Sequence, residues 1–118
     1  MKSRELNREK GILGERVATE YLIKNGAEIL EKNYKNNFGE IDIIANMDEK
    51  LVFVEVKSRT NLHFGYPAEA VDLKKRHKII KIAKYYISEH NYMDMPVRFD
   101  VIEVFLADTK LRHIINAF

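Results

Sequence analysis

The chain has 118 residues, with 20 Lys and Arg against 18 Asp and Glu. That length suits one domain over residues 1–118, long enough to bury a core without staples, and a net charge of +2 is too small by itself to mark a nucleic-acid surface. No apolar run reaches the ~20 residues of a membrane-spanning helix, and the absence of cysteine excludes disulfides and thiolate zinc sites.

The first residues carry no apolar segment of a secretory signal, so a cytoplasmic protein without membrane contact is expected. Residues 1–10 are a candidate mobile extension. A helix is predicted from Ser3 to Asn25, its apolar stripe formed by Leu13, Val17, Ala18, Tyr21 and Leu22. Asn25-Gly26 is its stop. Gly11 and Gly14 weaken it, which close packing on a sheet or a substrate would explain. Glu15 lies three residues before Ala18 and seven before Leu22, so a carboxylate points to the core side or its margin.

Three strands follow, "AEILEKNYKNN", "GEIDIIA" and "LVFVEVKSR", the last two joined by "NMDEK". The loop Thr60–Tyr66 leads to Pro67, which suits the first turn of a second helix ending near His90. Val71, Ile79, Ile82, Ala83 and Tyr86 face inward from it. "VRFDVIEVFLA" is apolar on both faces and so a central strand; "KLRHIINAF" closes the chain. The expected fold class is α/β, with a mixed sheet of about five strands flanked by helices in the order αβββαββ.

Charges interrupt the second and third strands. If Met47–Lys50 form a loop closed by Asn46 and Leu51, then Asp42 faces Glu55 and Glu40 faces Lys57. Directly opposed side chains are ≈ 4.5–5.5 Å apart at Cβ. Two facing carboxylates need compensation, and a Mg²⁺ or Mn²⁺ ion bound by hard oxygens would supply it. Lys57, on the same face as Glu55, is placed to hold a nucleophile or to neutralise charge growing on phosphorus. Glu15 can reach the same cluster. The competing arrangement is a solvated salt-bridge ladder in which Asp42 and Glu55 pair with Lys57 and Arg59.

Lys74, Lys78 and Lys81 fall at i, i+4 and i+7 on the outer face of the second helix, either as a track for a phosphate backbone or as a solvated face. Lys75 shares the inward side of Val71 and Ile79, where it either snorkels to water or reaches a phosphate. Arg98 and Asp100 share a face of the central strand, which favours an internal ion pair. His63, His77, His90 and His113 have no paired ligand spacing.

Glu15 on a first helix, Asp42 on the second strand and Glu55-Val56-Lys57 on the third resemble the PD-(D/E)xK nuclease superfamily, whose restriction-endonuclease-like core runs αβββαβ. More closely, "GEIDIIA", "FVEVKSR", "AVDLKKRHKIIKIAKYYI" and "RFDVI" resemble the YraN-like family of predicted endonucleases, related in fold to archaeal Holliday junction resolvases. Ile41 stands where the superfamily motif has proline. The resemblance implies a metal held by Asp42, Glu55 and the Val56 carbonyl, a catalytic Lys57 and an auxiliary acid Glu15. It also points to Lys75, beside Lys74, Lys78 and Lys81, on the nucleic-acid side. The expected activity is Mg²⁺- or Mn²⁺-dependent hydrolysis of DNA, with branched DNA cut by a homodimer as one form of it and RNA left open. The rival is a non-catalytic nucleic-acid-binding or interaction module on the same fold.

Overall fold

The computed structural model describes residues 2–59 and 72–118, with side chains from residue 8 onward. The loop Thr60–Tyr66, Pro67 and Val71 lie outside the described residues. The elements are α1 (Lys2–Lys24), β1 (Glu28–Asn36), β2 (Gly39–Met47), β3 (Lys50–Arg59), α2 (Leu73–Glu89), β4 (Val97–Phe105) and β5 (Lys110–Ile114). The fold is α/β, the expected αβββαβ core followed by a fifth strand.

α1 ends at the expected Asn25-Gly26. Gly26 takes φ +92°, the Gly26 N–H donates to Ile23 and the Ala27 N–H to Leu22. This paired closure satisfies the last carbonyls and needs a residue at ease with positive φ. Ala18 and Leu22 are fully buried, but Leu13 remains 43% exposed and is not a core residue. Gly14 takes the buried place instead. A Cβ there would collide with the Ser58 hydroxyl, whereas at Gly11 it would meet nothing. Close packing on the sheet therefore accounts for Gly14 and not for Gly11.

The sheet order is β1-β2-β3-β4-β5. Only β3 and β4 run parallel, because α2 carries the chain across the sheet between them, while the other pairs are antiparallel. The β2–β3 register is the expected one, with Asn46 opposite Leu51. The turn is tighter than expected, since Met47 also pairs with Lys50. Asp48 and Glu49 both have positive φ (52° and 62°), as a two-residue turn matched to strand twist requires. Removing one residue from each side of the loop leaves the register unchanged.

α2 starts later than Pro67. Asp72 caps it, the side chain accepting the Lys75 N–H. One face of the sheet packs Leu51, Phe53 and Val101 against Ile79, Ile82, Ala83 and Tyr86 of α2. The other packs Ile43, Ala45, Val52, Val54, Ile102 and Val104 against Ala18 and Leu22 of α1. No helix among the described residues is long and apolar enough to cross a membrane.

Two buried acids lie in β4. Asp100 receives both guanidinium bonds of Arg98 at 2.9 Å, His113 Nε2 at 2.7 Å and the Asn116 N–H at 3.0 Å. Burial alone would raise its carboxyl, but these partners outweigh it and hold it below the usual range. The expected Arg98–Asp100 pair is thus present, and His113, which also meets the Tyr21 hydroxyl at 2.9 Å, completes it. Glu103, fully buried, is bound by Arg59 at 3.1 Å and Arg112 at 2.6 Å.

The two α1 glycines separate packing from propensity. Gly11→Ala should raise stability in urea unfolding by about 1 kcal/mol. Gly14→Leu should lower it by about 1–3 kcal/mol, because the added side chain must push α1 off the sheet.

Candidate metal centre

β2 and β3 stay paired from the turn as far as Ile43 and Val54. The next residues in that register are Asp42 and Glu55. Here the strands part. Ile41 and Ile44 pack in the same cluster on the α2 side, although strict alternation would send residues three apart to opposite faces. The break in β2 falls between them, at Asp42. In place of a backbone acceptor, Asp42 Oδ2 takes the Val56 N–H at 2.8 Å. The N–H and C=O of a strand residue point to the same neighbouring strand, so the Val56 carbonyl faces the gap that β2 has left.

Glu55 is only 5% exposed. Burial, the charge of Asp42 and a hydrogen bond with it push the Glu55 carboxyl up to about 8, and Lys75 and Lys57 offset this only in part. The carboxyl pair therefore retains a proton near neutrality. Neither carboxylate has an ion-pair partner among the described residues, and Arg59 is committed to Glu103. Glu40 pairs with Lys35 at 4.0 Å rather than with Lys57, because β2 no longer runs beside β3 at that point. The solvated ladder is not what forms.

Lys57 is partly buried. Burial, then the neighbouring Lys75 through a hydrogen bond and like charge, lower its ammonium, against the pull of Glu55 and Asp42. Lys75 thus reaches the acids from α2, as its inward spacing suggested. Glu15 comes from α1, and its carboxyl is raised first by burial and then by Asp42. Among the described residues no three His, Cys, Asp or Glu converge as a metal-holding group. Glu15 consequently stands beside the pair, not within it.

Sequence reasoning missed Asn33. It lies between Lys32 and Tyr34, which pair with Ile43 and Ile41, and so sits across β1 from Asp42. It has φ +55° in mid-strand, and its side chain bonds to Glu15. Asparagine tolerates that conformation better than most residues, but nothing in "EKNYKN" announces it. Lys74, Lys78 and Lys81 are exposed, yet Lys78 lies against Gly39, where a Cβ would sit 3.1 Å from its Cε, and Lys81 Nζ lies 5.5 Å from the Phe38 ring centroid. The stripe follows the seam between α2 and the β1–β2 turn.

The donor set fits a divalent cation. Two carboxylates and a backbone carbonyl are hard oxygens, and Mg²⁺ commonly takes one or two carboxylates with water and substrate oxygens. The raised Glu55 carboxyl marks negative charge that Lys75 and Lys57 compensate only in part.

These features define a small α/β protein with an acid pair at a point of strand divergence. Residues 14–104 match the Uncharacterised protein family UPF0102. A UPF0102 protein of Clostridioides difficile (strain 630) is 58% identical over 112 residues, covering 95% of this chain and 98% of its own length. One from Caldanaerobacter subterraneus subsp. tengcongensis is 51% identical over 113 residues, covering 92% and 93%. The chain belongs to the UPF0102 family, the YraN-like family that its sequence blocks resemble. Among solved structures, that of Pyrococcus furiosus SfsA in complex with Ca²⁺ overlaps 91% of this chain and 62% of its own, at 16% identity and a TM-score of 0.36. That likeness is too distant to support an argument.

Without a cation, the native pair keeps a proton that the unfolded chain has released, so stability falls as pH rises from about 4.5 to about 8. Urea unfolding in chelator should show Glu55→Gln gaining on the parent across this window, by at most ~1.4 kcal/mol per pH unit. Parallel pH profiles would contradict the shared proton.

Proposed function

We propose that this protein is a Mg²⁺- or Mn²⁺-dependent phosphodiesterase of the PD-(D/E)xK type, acting on DNA. The observation that carries the reading is the pair of a half-buried Asp42 and a buried Glu55 where β2 leaves β3, its charge offset only in part by Lys57 and Lys75 beside it. Asp42, Glu55 and the Val56 carbonyl would hold the cation. When bound, it would polarise the phosphate and lower the pKa of a water molecule.

The chain's own groups supply the rest. Lys57, with its ammonium destabilised by burial and Lys75, is suited to exchange a proton with the attacking water. Lys75 brings positive charge to the phosphate oxygens. Glu15, bonded to Asn33 and held protonated more readily than a free carboxyl, orients or relays from the α1 side. The new bond joins the water oxygen to phosphorus and the P–O3′ bond breaks, leaving a 5′-phosphate and a 3′-hydroxyl. Lys74, Lys78 and Lys81 would attract the strand. A preference for branched DNA and a homodimer with two such sites extend this reading by fold analogy.

Purified protein, freed of contaminating nuclease, should cut labelled duplex, flap or four-way-junction DNA with Mn²⁺. Asp42→Ala and Lys57→Ala should each lower the rate by about 10²-fold or more. Variants that cut as well as the parent, or a parent that cuts none of these, would overturn the hydrolytic reading. Binding that survives both substitutions in a parent without cleavage would favour the non-catalytic module.

A further inference from the structure

The β1–β2 turn and the C-terminal end of α2 border an open recess of about 350 Å³ lined by Asn36, Phe38 and Tyr85, among others. Two large rings stand at its rim without burying themselves, Phe38 at 40% and Tyr85 at 46% exposure. Their centroids are 6.3 Å apart and the rings meet edge to face. Phe38 is kept in place by the turn itself, its N–H donating to Asn36 Oδ1 at 2.9 Å.

The recess wall carries one charge of each sign, Lys35, which pairs with Glu40, and Glu89, which accepts the Tyr34 hydroxyl; the excess of positive charge comes from Lys81 over Phe38 and the lysines before it on α2. Lys74, Lys78, Lys81 and Tyr85 fall at i, i+4, i+7 and i+11, a single line down α2. Lys75, in the same first turn of α2 but on its inward side, is the residue that senses Glu55 and Lys57. At 1.5 Å per residue, Tyr85 is about 15 Å further along the helix, a span of a few nucleotides.

We propose that Phe38 and Tyr85 form a stacking site for an unpaired base of the DNA strand whose phosphates run along Lys81 and Lys78 toward Asp42 and Glu55. This rests on the nucleic-acid reading and narrows it to a substrate class. A base inside a continuous duplex keeps its neighbours and cannot enter the recess, whereas a frayed end, a flap or the crossing point of a branch offers one. Aromatic rings flanked by lysines bind single strands in this way, because every base has a face to stack.

Binding is measured by fluorescence anisotropy with chelator present, so that hydrolysis plays no part. Short labelled single strands and blunt duplexes of the same length are compared for the parent, Phe38→Ala/Tyr85→Ala and Phe38→Leu/Tyr85→Leu. Both rings are exposed, and thermal melting checks that the variants remain folded. Both double variants should weaken single-strand binding about tenfold or more and leave duplex binding nearly unchanged. In a strand made abasic one position at a time, one or two positions should weaken the parent and not the variants.

Equal binding by parent and variants, or losses equal for single strand and duplex, would overturn the proposal. So would leucine variants that bind as the parent does, since a greasy contact would then suffice. The two readings fail separately. A parent that never cuts DNA but shows this pattern loses the hydrolytic assignment and keeps the stacking site; one that cuts without the pattern loses the stacking site alone.

Discussion

The hydrogen bond from the Val56 N–H to the Asp42 carboxylate organises this molecule's site. A β-ladder ordinarily satisfies its backbone donors with backbone acceptors, and β2 does so for β3 as far as Ile43 and Val54. At Asp42 a side chain takes over that duty at 2.8 Å. β2 is then free to turn away without orphaning a buried donor. The gap this opens exposes the Val56 carbonyl toward the acids and leaves Glu55 buried beside Asp42 with no strand partner between them.

The other buried acids show what the sheet does when a carboxylate is only structural. Asp100 is met by Arg98, His113 and a backbone N–H; Glu103 is met by Arg59 and Arg112. Removing one partner from such a group leaves a buried charge uncovered, which is why each acid has several. Asp42 and Glu55 have no such guanidinium partner among the described residues. Burial and the neighbouring Asp42 raise the Glu55 carboxyl instead. That contrast, within one sheet, is what supports reading the pair as the proposed cation site and the other acids as groups that hold strands together.

Much of this was legible in the sequence, for identifiable reasons. Alternation in "GEIDIIA" and "LVFVEVKSR", anchored by a short polar turn, sets the hairpin register, and the register sets Asp42 against Glu55. The turn was assigned one residue too long on each side, an error to which register is indifferent. Helical spacing placed Lys75 inward correctly but misjudged Leu13, because a small residue, Gly14, lets α1 approach the sheet along a slightly different face. Pro67 suits a helix start by its fixed φ, whereas the Asp72 side chain provides the cap of α2. Asn33 and the Arg59–Glu103–Arg112 cluster were not legible. The first depends on one backbone angle, and the second brings together three strands through long-range pairing that no local pattern encodes.

The proposed cation site requires the Asp42–Glu55 pair to exchange one proton for one cation. The direct measurement is a calorimetric titration of the protein with Mn²⁺ near pH 7 in buffers of different ionisation enthalpy, which counts protons released on binding. The parent should bind one ion and release about one proton, because a ligand must shed its proton before it coordinates. Glu55→Gln should release none and bind more weakly. Absence of Mn²⁺ binding by the parent, or binding with the same proton count in Glu55→Gln, would contradict the account.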